Sequence, residues 1–226
     1  GTTRKGRTRE ERTRDMGSEE APPNLQALVL CSSVSGLVLR SGQVDFCSWE
    51  AAGKPRTVLN LRFEADAERW KQCRYLHARK ENDTEMYNTG SPETRAWLQT
   101  VFRTLQDHFD AEGEKAFPLL IHCFSGRDRT GIVCAMLQLI LGASEHAVFA
   151  SFNLDPESKE DDKRRAMFKT ALDGLRPTRA DWKKLDCDPD ANPFGQPPLQ
   201  HYLRKAVNVR GLQAVFAKLQ TVPNTQ

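Results

Sequence analysis

The residues of this chain best suited to chemistry are Cys123 and Arg129, with five residues between them in the run Leu-Leu-Ile-His-Cys-Phe-Ser-Gly-Arg-Asp-Arg-Thr-Gly that spans residues 119–131. A cysteine at the head of a helix, ringed by backbone N–H groups and arginines, is favoured as its nucleophilic thiolate. An arginine one turn along can present two parallel N–H donors to two oxygens of a phosphoryl group, a geometry that lysine lacks. Thr130 carries a hydroxyl that can donate to the sulfur when it leaves, and His122 stands directly before the nucleophile. The chemistry this constellation suits is nucleophilic attack on phosphorus.

Two elements must hold these residues. Residues 117–121 form an apolar run too short for a helix, which reads as a buried strand. Residues 132–141 are apolar nearly all round and stop at Gly142, as expected of a central helix closed by glycine. A loop between a strand and a helix N-terminus gathers backbone N–H groups into an anion site. The unit is therefore strand, phosphate loop, helix.

Elsewhere the pattern predicts strands over residues 25–33 and 36–40 around a turn at 34–36, a short helix over 45–52 closed by Gly53, a strand over 57–61, a helix over 64–72 and a strand over 75–78. Strands alternating with helical segments imply an α/β fold with a central, mostly parallel sheet flanked by helices. Residues 80–90 have no periodicity, are dense in turn formers and follow a strand, where open α/β sheets place ligand loops. Ser91 and Pro92 start the next helix as N-cap and first helical residue, and Leu98, Val101, Phe102, Leu105 and Phe109 give it an apolar stripe. Beyond the central helix, a short helix from Ser144, a charged helix capped by Asp155 and stopping at Gly174, a loop over 186–198, and a helical stretch over 199–219 broken near Gly211 complete the chain. The domain expectation is a disordered polar tail, residues 1–24, and a single domain with a helical C-terminal extension, residues 25–226.

The 226 residues include 33 Lys and Arg against 30 Asp and Glu, a net charge of +3 that gives no argument for a nucleic-acid partner. No apolar run reaches the roughly 18 residues a membrane span needs. The basic arm in residues 4–14 is interrupted by acids, so a solvated tail is the first expectation and a peripheral membrane contact the second. Six cysteines, at positions 31, 47, 73, 123, 134 and 187, form no Cys-x-x-Cys pair and no metal-like cluster. Reduced thiols in a reducing, cytoplasmic setting are expected, with no metal and no cofactor. A reversible disulfide of Cys123 with Cys73 or Cys47 under oxidation is the minor alternative to free thiols.

The run His122-Cys123-Phe124-Ser125-Gly126-Arg127-Asp128-Arg129-Thr130-Gly131 resembles the signature loop of the protein-tyrosine-phosphatase superfamily. With Asp128 beside Arg129 it is most similar to an atypical dual-specificity and phosphoinositide branch, which usually has Gly-Lys-Asp-Arg where this chain has Gly126-Arg127-Asp128-Arg129. Residues 39–42, the stretch 57–62 followed by Glu64, and less clearly residues 201–203 share the likeness.

The resemblance implies a two-step phosphomonoester hydrolysis. Cys123 attacks phosphorus to give a phosphocysteine, and Arg129 and the loop amides hold the equatorial oxygens. His122 orients the loop, Thr130 assists the departing sulfur, and a separate mobile loop supplies a general acid. Asp83 is the first choice for that acid, with Glu85, Glu81 and Asp66 as alternatives. Phe124, Ser125, Gly126, Arg127 and Asp128 are the expected substrate-binding residues. Arg127 faces either a second phosphate or solvent, and Asp128 either orients water or makes a structural hydrogen bond. The implied partners are phosphoproteins, with phosphotyrosine or dual specificity, and phosphoinositides. An inactive phosphate-binding module is the alternative, and a sulfur transferase is disfavoured because its loop holds one residue fewer.

Overall fold

The computed structural model describes residues 20–28, 30, 37–80, 86–152, 159–185 and 194–221. Five strands form one sheet in the order β1-β2-β5-β3-β4: β1 Gln26–Ala27, β2 Val38–Ser41, β3 Thr57–Asn60, β4 Arg74–His77 and β5 Leu119–His122. β1 runs antiparallel to β2 and the other pairings are parallel. The fold is the expected α/β class, and β2, β3 and β5 are buried along their whole length, as strands covered on both faces must be.

The strand period of two sorts the side chains. Val38, Leu59, Leu119 and Ile121 enter the larger core, while Leu39, Val58 and Leu120 enter a smaller cluster with Val44, Cys47, Ala52 and Trp70. The larger core is made with α1 Pro92–Glu112, α2 Asp128–Ile140, α3 Glu145–Ser151, α4 Lys159–Leu175, α6 Gln196–Leu203 and α7 Val209–Thr221, while α5 Arg179–Leu185 buries none of its own residues. Each fully buried Leu, Ile or Phe on these faces stabilises the fold by roughly 1.5–3 kcal/mol of transfer free energy before conformational entropy is subtracted.

α1 starts as its sequence implies: Ser91 Oγ accepts from the Thr94 N–H at 3.2 Å with Pro92 just inside, and its apolar stripe is buried. α2 is buried over nearly its whole circumference, and Gly142 follows it at φ +90°. α3 is capped by Ser144, whose Oγ accepts from the Ala147 N–H at 3.2 Å.

Four expectations are corrected. Residues 45–52 form successive turns rather than a helix, ending at Gly53 with φ +84°. Residues 64–72 are irregular: the Glu64 carbonyl, which a helix would spend on its own ladder, accepts from Asn60 Nδ2 at 2.7 Å instead. The break in the last helical stretch falls at residues 204–208, where Arg204 takes φ +57°, and Gly211 lies inside α7. α4 continues through Gly174, where a Cβ would come within 2.4 Å of Thr89 Oγ1, so this glycine serves close packing rather than termination. The expected turn at 34–36, the cap at Asp155 and residues 186–193 of the expected loop lie outside the described residues; the end of that loop is already helical from Gln196.

Candidate active site

β5 ends at His122, and Cys123 follows at the carboxyl edge of the sheet, between the ends of β2 and β3. Leu61 continues β3 beyond its last paired residue by donating its N–H to the His122 carbonyl at 2.9 Å. The loop from Cys123 to Arg127 then turns into α2, and Arg129 and Thr130 sit in that helix's first turn. The first N–H groups of a helix have no intrahelical acceptor, which gives this end its affinity for anions.

Four successive loop carbonyls, those of Phe124 to Arg127, accept from donors outside the loop. His122 Nδ1 stands 3.4 Å from Cys123 O, the Gln43 N–H donates to Phe124 O at 2.9 Å and Asn24 Nδ2 donates to Ser125 O at 2.8 Å. Arg40 Nη2 donates to Gly126 O at 2.8 Å and to Arg127 O at 3.4 Å. With its carbonyls pulled outward, the loop turns its N–H groups toward the opposite, concave side, which is how a phosphate cradle is made. Gly126 allows this path: its φ is +74°, and a Cβ there would lie 2.4 Å from the Ser41 carbonyl carbon.

Cys123 is buried, and the Thr130 hydroxyl is a buried polar atom with no hydrogen-bond partner among the described residues. An orphan hydroxyl of this kind costs stability unless some group not present in the resting arrangement satisfies it. Arg129 Nη1 donates to Leu61 O at 3.2 Å, anchoring the guanidinium to the extension of β3. Phe124 projects outward, 64% exposed, with Phe46 and Phe63 also exposed on the loops that follow β2 and β3.

Beneath the loop lies a buried polar network. His122 is fully buried, with Nε2 2.8 Å from Asp66 Oδ2. Asp66 Oδ1 accepts from Arg62 Nη2 at 2.6 Å and Asn60 Nδ2 at 3.0 Å, and Arg62 grips Asp45 with two further bonds of 2.6 and 3.0 Å. Burial alone would raise the Asp66 pKa, but the hydrogen bonds and charges of His122 and Arg62 outweigh it and hold the carboxyl below its ordinary value. A carboxylate held ionised in this way is a poor proton donor, so Asp66 is removed from the candidates for the general acid. Its two oxygens are committed to His122, Arg62 and Asn60.

Asp128 meets two partners that sequence patterns did not suggest. The Tyr87 hydroxyl donates to Asp128 Oδ1, and Arg164 Nε of α4 lies 3.4 Å from the same oxygen. Burial and the Asp128 carboxylate push the Tyr87 phenol pKa up, so it remains a donor. Tyr87 belongs to the segment leading into α1, which Tyr202 also pins by donating to Thr89 O at 2.6 Å. Asp83, Glu81 and Glu85 fall outside the described residues. Ser125 and Arg127 border the loop's outer rim, with Arg127 half-exposed and 3.9 Å from Glu160.

Asn24, Asp45, Tyr87 and Arg164 are the contributors that sequence reasoning left without a role at the site, whereas Arg40 and Arg62 read as structural or site-edge arginines in strand-end salt bridges; Arg62 makes such bridges and Arg40 holds loop carbonyls instead. Arg40 and Asp45 had local signals, a polar residue at a strand's carboxyl end and an acid in the following turn. Tyr87 and Arg164 had none, because their partner is 41 and 36 residues away. No group of His, Cys, Asp and Glu suited to a metal occurs among the described residues, and none of their helices is long and apolar enough to cross a membrane.

The site is a carbonyl-tethered loop at the head of a buried helix on an α/β sheet, carrying a buried cysteine and an arginine six positions on. The tyrosine phosphatase family matches residues 7–216, and the chain belongs to that family. It is thus a phosphatase in class, a hydrolase of phosphoric monoesters. A comparison with individually curated proteins finds no match.

Proposed function

We propose that the chain hydrolyses phosphomonoesters through a phosphocysteine intermediate on Cys123. The observation that carries this reading is the pair of buried groups at the head of α2: the Cys123 thiol and the unpartnered Thr130 hydroxyl. Cys123 Sγ attacks phosphorus while Arg129 and the loop N–H groups bear the charge on the three equatorial oxygens. The P–O bond to the leaving group breaks, and Asp83 protonates the departing oxygen. Water then attacks the phosphocysteine, giving a proton to the Asp83 carboxylate left by the first step, the S–P bond breaks, and the thiolate is stabilised by the Thr130 hydroxyl. His122, held by Asp66, keeps the loop in register throughout.

The substrate class we favour is a phosphotyrosyl side chain. Phe124, 64% exposed on the signature loop itself, offers an apolar face to an aromatic ring, which a phosphoserine or an inositol headgroup does not supply. Dual-specificity and phosphoinositide turnover follow the same chemistry, and the resemblance to the atypical branch implies that both classes are accepted.

Hydrolysis of an aryl phosphate by the parent protein and its loss in Cys123→Ser, by at least about a thousandfold, is the test of the mechanism. An inactive parent under reducing conditions would support the phosphate-binding module instead. Asp83→Ala should lower turnover far more for poor leaving groups than for good ones, and an equal loss for both would remove Asp83 from the acid role.

A further inference from the structure

We propose that the chain has a second oxyanion-binding pocket, on the outer side of the signature loop and distinct from the concave side that faces Cys123. A cavity of about 80 Å³ is lined by Asn24, Gln26, Arg40, Gly126, Arg127, Phe152, Asp161 and Arg164. A water needs only about 10–15 Å³ of such space, so the cavity has room for a tetrahedral anion.

Arg40 is the observation that points to a ligand. Its residue is 5% exposed, and its hydrogen bonds go to Gly126 O, Arg127 O and Ser151 O, all neutral carbonyls. A buried cation that meets only carbonyl dipoles and a ring face, with no carboxylate partner among the described residues, is incompletely compensated, a state that an anion relieves. Arg62, by contrast, is as deeply buried and grips two carboxylates.

Two more guanidinium groups border the same space. Arg164 is bound to Asp161 at 2.9 Å and to Asp128 at 3.4 Å, so its charge is largely compensated. Arg127 is half-exposed, and its 3.9 Å approach to the exposed Glu160 is worth little. The Phe152 ring lies under both Arg40, at 6.0 Å, and Arg164, at 5.5 Å, and so fixes their planes. Against Arg40, Arg127 and Arg164 the cavity wall sets one acid among the described residues, Asp161.

The ligand class is a phosphate-like oxyanion, either free phosphate or a second phosphate of a multiply phosphorylated substrate. Because Arg40 also holds Gly126 O and Arg127 O, an anion there would brace the loop from behind.

The test titrates inorganic phosphate into Cys123→Ser protein by calorimetry. Gln26 sits opposite Arg40 in the β1–β2 register, so Gln26→Glu would place a carboxylate against the guanidinium that the anion needs. We expect two phosphates per chain, one of them weakened at least about tenfold by Gln26→Glu. Aryl-phosphate turnover of the Gln26→Glu protein with Cys123 intact should be unchanged, which also shows that it folds. A single phosphate lost on Gln26→Glu would uphold the pocket while counting against the active-site reading. Absence of any Gln26-sensitive phosphate overturns the proposal, whatever the active site does. An inositol bisphosphate decides the source. One molecule per chain with Gln26-sensitive affinity identifies a second substrate phosphate, and two per chain identify independent anions.

Discussion

At the carboxyl ends of β2, β3 and β5 the chain buries Arg62, Asp66 and His122 in one hydrogen-bonded network and bends its backbone through a glycine with positive φ. At the amino ends of β3 and β4 the contacts are modest: Trp49 Nε1 and Cys73 Sγ both donate to Pro55 O, at 2.8 and 2.9 Å, and Arg56 continues the ladder to Pro118 O at 2.8 Å. One sheet therefore has a costly end and an inexpensive one. Desolvated charges need exact partners, whereas backbone pairing and apolar cover tolerate substitution. The costly end is where Cys123 sits, and the hydrogen bonds around it are what tie down the loop carbonyls.

The difference can be broken most sharply at Gly126. In Gly126→Ala the new Cβ meets the Ser41 carbonyl carbon and oxygen at 2.4 and 2.5 Å, backbone atoms that cannot swing aside, at a φ that L residues avoid. The expected cost is about 2–4 kcal/mol from strain and overpacking. Displacement of the loop should lower kcat by at least about a hundredfold. Urea unfolding and aryl-phosphate turnover measure the two. A variant with parent-like activity would show that the loop path does not depend on this glycine.

How far such features could be read from the sequence depended on their range. Cys123, Arg129, Thr130 and the strand-loop-helix around them were legible because spacing along the chain fixes spacing in space across one turn. The α1 cap and the glycine after α2 were legible for the same reason. Residues 45–52 and 64–72 were misread as helices because their polar residues look like exposed helical faces. Their Asp45 and Asp66 instead turn inward to Arg62. No local pattern distinguishes a solvated acid from one whose cation lies 17 residues away. Asp66 could thus be named as a candidate acid, yet its actual partners, and with them its unsuitability for that role, required the fold.

Asp66→Asn is the second way to sharpen the comparison. It leaves the shape but removes the charge between Arg62 and His122, which should cost about 3 kcal/mol at neutral pH. It should also lower kcat more than it raises KM, because it acts through His122. The pH dependence follows from the sign of the shift. The folded Asp66 pKa is depressed, so its stabilisation is fully present above the unfolded carboxyl value of about 3.9 and is lost as pH falls through the lower folded value. The stability gap between parent and variant should hold from pH 7 to about pH 5 and shrink below about pH 4. A gap independent of pH would mean that Asn disrupts packing rather than charge.

The smallest effect is expected at Cys73, on the inexpensive end. Burial pushes its thiol pKa up to about 11, so at neutral pH it is neither a good nucleophile nor readily oxidised. It precedes β4, whereas Cys123 follows β5, and these strands run in the same direction in one sheet with β3 between them. A four-residue strand is about 13 Å long, so the two sulfurs belong to opposite ends of the sheet, well beyond the span of a disulfide. That separation excludes the minor alternative of a Cys73–Cys123 disulfide in this fold. Cys73→Ala should change stability by less than about 1 kcal/mol and kcat/KM by less than about twofold, since no group at the catalytic end touches it. It should also leave the rate of peroxide inactivation unchanged. Slower or faster inactivation in the variant, followed by reductant recovery and peptide mapping, would mean that the two ends communicate through a rearrangement the resting fold does not contain.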